Sequence, residues 1–215
     1  MAYNSLPVQW IPIKFLGRWT PRGPADYHQS NRSMLKLKPR KTVDDYMKLP
    51  EGTLAELIEG EIFMTPSPKT DHQRVGRELG HALWEFVRSH GLGEVFDAPL
   101  DIHLPSGDVV QPDLIFVGVG RVDILQDWIR GAPDLLVEII SADRPERDRI
   151  VKRDLYARNG VPEYWIVDPE ARSIEVLALE SGRYAPRGYF EAGDSLVSPS
   201  LPGFTLPLGG VFRKQ

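Results

Sequence analysis

The chain has 215 residues, 41% of them hydrophobic and 26% charged, enough to bury the core of one globular domain. It has no cysteine, which excludes a disulfide scaffold, a zinc finger, a thiol nucleophile and an iron–sulfur site. The net charge is −4, but residues 1–41 carry eight basic residues and one acidic, whereas 42–215 hold 18 basic and 29 acidic. A nucleic-acid binder is usually basic overall, yet a metal-dependent nuclease must also set carboxylates beside a phosphate, so charge alone decides nothing. No run reaches the ~18–20 apolar residues of a membrane span. Lys14 and Arg18 interrupt the longest apolar stretch near the N-terminus, which argues against a signal peptide. A soluble, cytoplasmic protein is the expectation.

Residues 1–41 mix Pro, Gly, Ser and Arg with isolated aromatics such as Trp10, Phe15 and Trp19, and read as a basic, poorly ordered arm. Met34 is an alternative start, which would make 1–33 an upstream extension. A single domain is expected over 42–215. It opens at Thr42 and Asp45, the S/T-x-x-D/E pattern of a capping box. Residues 54–64 predict two short strands turning at Gly60. Val75, Leu79, Ala82, Leu83, Phe86 and Val87 form one apolar stripe at helical period, predicting a helix over 70–90 that Gly91 and Gly93 stop.

Strands are expected at about 94–104, broken by Pro99, then at 109–117, and at 134–140 after a Gly/Pro turn. A second helix is predicted over about 145–159, ending at Gly160, followed by a strand at 162–168 and weaker ones near 173–179 and 184–190. A helix between the strands at 134–140 and 162–168 suggests a βαβ crossover in a mixed sheet flanked by helices.

The candidate chemistry lies in carboxylates embedded in apolar strands. Asp113 is the one charge in 109–117, and Glu138 the one charge beyond the first residue of 134–140. Burying an ionised carboxylate costs several kcal/mol unless a cation or strong donors compensate it. Two such groups on neighbouring strands would be reconciled by a divalent ion with a preference for oxygen, Mg²⁺ or Mn²⁺. An arginine partner for Asp113, or strand ends near solvent, would explain them equally. Asp148, Lys152 and Tyr156 share one helical stripe beside an apolar ridge of Val151 and Leu155. Lys152 could reach a phosphate, or could simply form an exposed pair with Asp148. Glu56, Glu59 and Glu61 cluster at the first hairpin, where at least two should be solvated. His72 could contact a substrate or be a partly buried, hydrogen-bonded side chain. Nucleotide-binding glycine motifs and a serine-hydrolase elbow are absent.

Several segments together carry a resemblance: Thr-Val-Asp-Asp-Tyr at 42–46, Glu-Leu-Ile-Glu-Gly-Glu at 56–61, Pro-Ser-Pro with His72-Gln73, and Gln-Pro-Asp at 111–113. Further on stand Gly-Ala-Pro-Asp-Leu-Leu-Val-Glu-Ile-Ile-Ser at 131–141, Asp148 through Lys152 to Tyr156, and Gly-Val-Pro-Glu-Tyr-Trp-Ile-Val-Asp-Pro at 160–169. In this order they resemble the Uma-type restriction endonuclease family, a branch of the PD-(D/E)XK nuclease superfamily, over about 42–215. The resemblance implies an α/β/α sandwich around a mixed sheet, with an added N-terminal hairpin and C-terminal strands. It implies Asp113 and Glu138 as ligands of Mg²⁺ or Mn²⁺, joined by the Ile139 carbonyl, and DNA as substrate. The superfamily's lysine would stand at 140, where this chain has Ile140, and Lys152 matches the position used by the Uma-type branch. Glu56 is a further candidate at the site's rim, and a homodimer is implied by resemblance alone. Two other functions stay open: a degenerate nuclease fold that binds DNA or regulates, and a hydrolase of small phosphoesters.

Overall fold

The computed structural model describes residues 39–141 and 147–213. The arm expected over 1–41 therefore lies outside the described residues up to Lys38. So does the side chain of Asp148.

Helix α1 (Val43–Tyr46) starts with the expected capping box: Thr42 accepts from the Asp45 N–H, and Asp45 returns a bond to the Thr42 N–H. Strands β1 (Ala55–Ile58) and β2 (Glu61–Met64) form a hairpin turned by Glu59 and Gly60, both at positive φ. That two-residue turn suits the right-handed twist of the strands. Arg40 packs on Gly60 so closely that a Cβ there would sit 2.7 Å from its own Cβ. Its guanidinium also donates to the Glu59 carbonyl.

Helix α2 (Thr70–His90) ends in a left-handed Gly91, as the stripe and stop signal predict. Then come β3 (Gly93–Asp97), β4 (Ile102–His103), β5 (Val109–Val110), β6 (Leu114–Gly118), β7 (Ile129–Arg130) and β8 (Leu135–Ile139). The single strand expected over 109–117 is thus two strands. Gln111-Pro112 interrupts it, because Pro112 has no N–H to give a ladder. The halves join different sheets. A π-helical turn (Arg147–Lys152) leads into α3 (Arg153–Arg158), then β9 (Glu163–Asp168), β10 (Ser173–Glu180), β11 (Arg183–Glu191), β12 (Ser195–Val197), β13 (Thr205–Pro207) and α4 (Leu208–Val211).

The main sheet is mixed, ordered β11-β10-β9-β8-β6-β3, with β8 and β9 parallel and the other pairs antiparallel. A second sheet is ordered β2-β1-β5-β4-β7. Strand alternation sorts the core. Leu114, Phe116, Leu135, Val137 and Ile139 pack with Val75, Leu79, Leu83 and Val87 of α2 and with the C-terminal segment. Ile115, Val117, Leu136 and Ile140 face the second sheet and α3. Beyond the second sheet, Tyr46 of α1 closes over Ala55, Leu57 and Val109. Gly76 and Gly80 lie on the sheet-facing side of α2. A Cβ at either would meet Ile139 at 3.2 Å or Leu114 at 3.1 Å, so the two glycines let the helix settle close against the sheet.

Glu163, fully buried, clasps β9 to the segment after β12. Its carboxylate accepts from the Trp165 indole N–H, the Ser198 hydroxyl and the Ser200 N–H. Glu163→Gln replaces an acceptor oxygen with a donor among these donors. It should lower the unfolding free energy by about 1–3 kcal/mol, read from the denaturant midpoint at unchanged slope.

Candidate functional site

Two carboxylates come to one place from different sheets. On β1, Ala55 and Leu57 face α1, so Glu56 faces the other way, into the layer between the sheets. On β8, Glu138 lies between Val137 and Ile139 on the opposite face, toward the same layer. Both are almost wholly buried. Lys152, also buried, bridges them: its Nζ lies 2.9 Å from Glu56 Oε1 and 2.8 Å from Glu138 Oε1. Tyr156, one turn later, donates from its hydroxyl to the same Glu138 oxygen at 2.6 Å. The Gln111 N–H donates to Glu56 Oε1 at 3.0 Å. The Gln111 side chain donates in turn to Asp101, which the Tyr46 hydroxyl also approaches.

Asp113 stands just before β6. The register pairs Leu114 with Val137, which sets Asp113 beside Glu138 on the neighbouring strand. Its Oδ2 accepts the Ile139 N–H at 2.7 Å, and its Oδ1 lies 3.2 Å from Nε2 of His72 in the first turn of α2. Asp113 and His72 remain about one-fifth exposed, at the end of a groove of about 1120 Å³ between α2 and β3. The groove is also lined by Gln73, Arg74, Arg77, His81 and Trp84.

Glu56, Glu138 and Lys152 thus meet in one buried cluster, and Asp113, bonded to the Ile139 N–H, stands beside Glu138 on the neighbouring strand. Glu59 and Glu61 are exposed, and Glu59 pairs instead with Arg158 at 2.8 Å. The stripe of Lys152 and Tyr156 faces inward rather than toward solvent, and Val151, expected on the packed ridge, is 39% exposed. Leu155 of that ridge is buried together with Lys152 and Tyr156, at i, i+3 and i+4 on one helix face, so the packed face is centred one residue on from the expected ridge. His72 against Asp113 and Tyr156 against Glu138 are contacts that spacing alone did not reveal.

Three carboxylates and one ammonium leave this cluster with an excess of negative charge when His72 is neutral. Hard carboxylate oxygens beside a main-chain carbonyl are the donor set that Mg²⁺ and Mn²⁺ take. The residues present therefore fit a divalent ion, although no ready-made group of three His, Cys, Asp or Glu ligands occurs among the described residues. Burial, with Glu138 and Glu56 nearby, raises the Tyr156 phenol well above its ordinary value, so it stays a neutral donor. Tyr156→Phe removes that bond and little volume. It should cost about 1.5–3 kcal/mol of stability, measured by urea unfolding, with tertiary structure preserved by near-UV circular dichroism.

A family model and solved structures match the chain. A family model described as "Uma2: Putative restriction endonuclease" matches residues 43–209. The fold is similar to that in the "Crystal structure of a putative nuclease belonging to DUF820 from Anabaena variabilis ATCC 29413". That structure superimposes with a TM-score of 0.68 at 21% identity, covering 80% of this chain and 97% of the other. No curated protein matches the chain. Among the described residues no helix is long and apolar enough to cross a membrane.

Proposed function

Because the chain belongs to the Uma2 family of restriction-endonuclease-like proteins, we propose that it is a metal-dependent endonuclease that hydrolyses DNA phosphodiester bonds. The observation that carries this reading is the buried Glu56–Lys152–Glu138 cluster beside Asp113, which itself opens with Ile139 onto the groove between α2 and β3. Asp113, Glu138 and the Ile139 carbonyl would hold Mg²⁺ or Mn²⁺. The ion, when bound, supplies Lewis-acid polarisation of a phosphate oxygen and a more acidic water.

The remaining work falls to the chain itself. Lys152 offsets the charge that builds on the phosphate as the water attacks, an electrostatic role that is strong because the ammonium is already held in a site with little water. Glu56 fixes that ammonium from the second sheet, and the main-chain N–H of Gln111 fixes Glu56. Tyr156 orients Glu138. The Ile139 N–H holds one oxygen of Asp113, and His72 braces the other from α2. A cytoplasmic location and a homodimer belong to the same proposal.

Incubation with supercoiled plasmid in Mg²⁺, Mn²⁺ or EDTA tests it. Nicking with either metal and none in EDTA is the expected result. A protein that binds the plasmid but never cuts it would be a DNA-binding module. One that cleaves a chromogenic phosphodiester and leaves plasmid intact would be a small-phosphoester hydrolase.

A further inference from the structure

The groove that ends at Asp113 continues past Trp84. A second hollow of about 360 Å³, lined by Arg88, Gly91, Gly93 and Glu94, shares Trp84 and Val95 with it. The two form one trough along the seam between α2 and β3. Trp84 stands at their junction with 45% of its surface exposed, although a tryptophan gains more than most side chains from burial. Arg88, one helical turn on, lays its guanidinium over the indole at 4.8 Å from the ring centroid. The guanidinium covers one face of this exposed indole, so a nucleobase would stack on the opposite face, with the cation reinforcing the sandwich.

The spacing suits a strand. Trp84 lies twelve positions after His72 on α2, about 18 Å along the helix, or at most about five base steps at the 3.4 Å of a stacked strand. Between them Arg74, Arg77 and His81 line the α2 wall. Arg74 engages Asp71 through one nitrogen, and Arg77 engages Glu78 through two. Both pairs are exposed and cheap to open, and each five-donor fork has further N–H groups for a phosphate. Glu94 and Asp97 on the β3 side keep the trough from being uniformly positive. Contact is therefore directed to the α2 wall.

We propose that this trough binds a single-stranded segment of nucleic acid, with Trp84 as the platform for an unpaired base at most about five steps from the phosphate at Asp113. A duplex stacks its base faces on one another and offers only edges, so Trp84 would select a frayed or single-stranded substrate. The proposal rests on the reading of the Asp113 site as a nuclease centre.

Its test needs no hydrolysis. Fluorescence anisotropy in EDTA would follow the full chain binding a fluorescein-labelled single strand of about 12 nucleotides and the duplex of the same sequence. Trp84→Ala should weaken single-strand binding by about 5- to 100-fold, the effect of losing one base–aromatic stack. Trp84→Phe should stay within about 3-fold of the parent because it keeps a π-face, and duplex binding should not change. Circular dichroism should show both variants folded, since Trp84 is exposed. A wild-type chain that does not bind the single strand would overturn the proposal. So would a Trp84→Ala variant that binds it as tightly as the parent, or that weakens both substrates alike. If the Trp84 dependence is found in a protein that never cuts plasmid, the trough stands and the nuclease reading fails.

Discussion

Lys152→Met should lower the unfolding free energy by about 3–5 kcal/mol, the cost of leaving buried charge without its partner. Methionine matches the length of the stem but removes the ammonium that bridges Glu56 and Glu138. Equilibrium urea unfolding reads the loss as a shift of midpoint at unchanged slope. The deficit should narrow as pH falls, because protonating a carboxylate removes the unpaired charge. Added Mn²⁺ should also restore stability, by about 2.7 kcal/mol at a hundredfold excess over the dissociation constant. A loss below about 1 kcal/mol would place the pair in the class of ordinary surface bridges and remove the electrostatic basis of the site.

Asp113→Asn should leave the fold nearly intact while plasmid nicking falls by at least about 10²-fold. The amide oxygen can still accept the Ile139 N–H, so the local backbone bond survives. What disappears is the negative charge that would hold a divalent ion. Lewis-acid catalysis supplies several kcal/mol, and each 1.36 kcal/mol is tenfold in rate. Initial nicking rates at saturating Mg²⁺, normalised to folded protein, measure the effect. Undiminished cleavage would remove Asp113 from the centre.

These two residues also show how far the sequence could be read. The stripe from Val75 to Val87 and the Gly91 stop define α2 without help, because a long amphipathic helix repeats its signal over many turns. The embedded charges Asp113 and Glu138 stood out for a similar reason, each being alone in an apolar run. The second sheet was not legible beyond its hairpin. Strands β4, β5 and β7 have two residues each, too few for any period. The break at Pro112 was visible in the sequence, yet nothing local says that Val109–Val110 leaves for another sheet.

Lys152 and Tyr156 were found on one stripe, but which way it faced depended on the buried carboxylates it meets, which only tertiary packing brings together. Glu56 is the instructive case. From the hairpin alone it was one of three similar acids, and the family resemblance singled it out. Its burial comes from the layer between the two sheets, where Lys152 and the Gln111 N–H meet it and which only tertiary packing supplies. The contact of His72 with Asp113 likewise depends on how closely α2 meets the sheet, which Gly76 and Gly80 permit.

Calorimetric titration of Mn²⁺ into the full chain tests the metal centre most directly, since it needs neither substrate nor turnover. Saturable binding to the wild type is the expected result, lost in Asp113→Asn, weakened in Glu138→Gln and retained in Trp84→Ala. Failure of the wild type to bind Mn²⁺ at millimolar concentration, or binding by Asp113→Asn equal to that of the wild type, would contradict it.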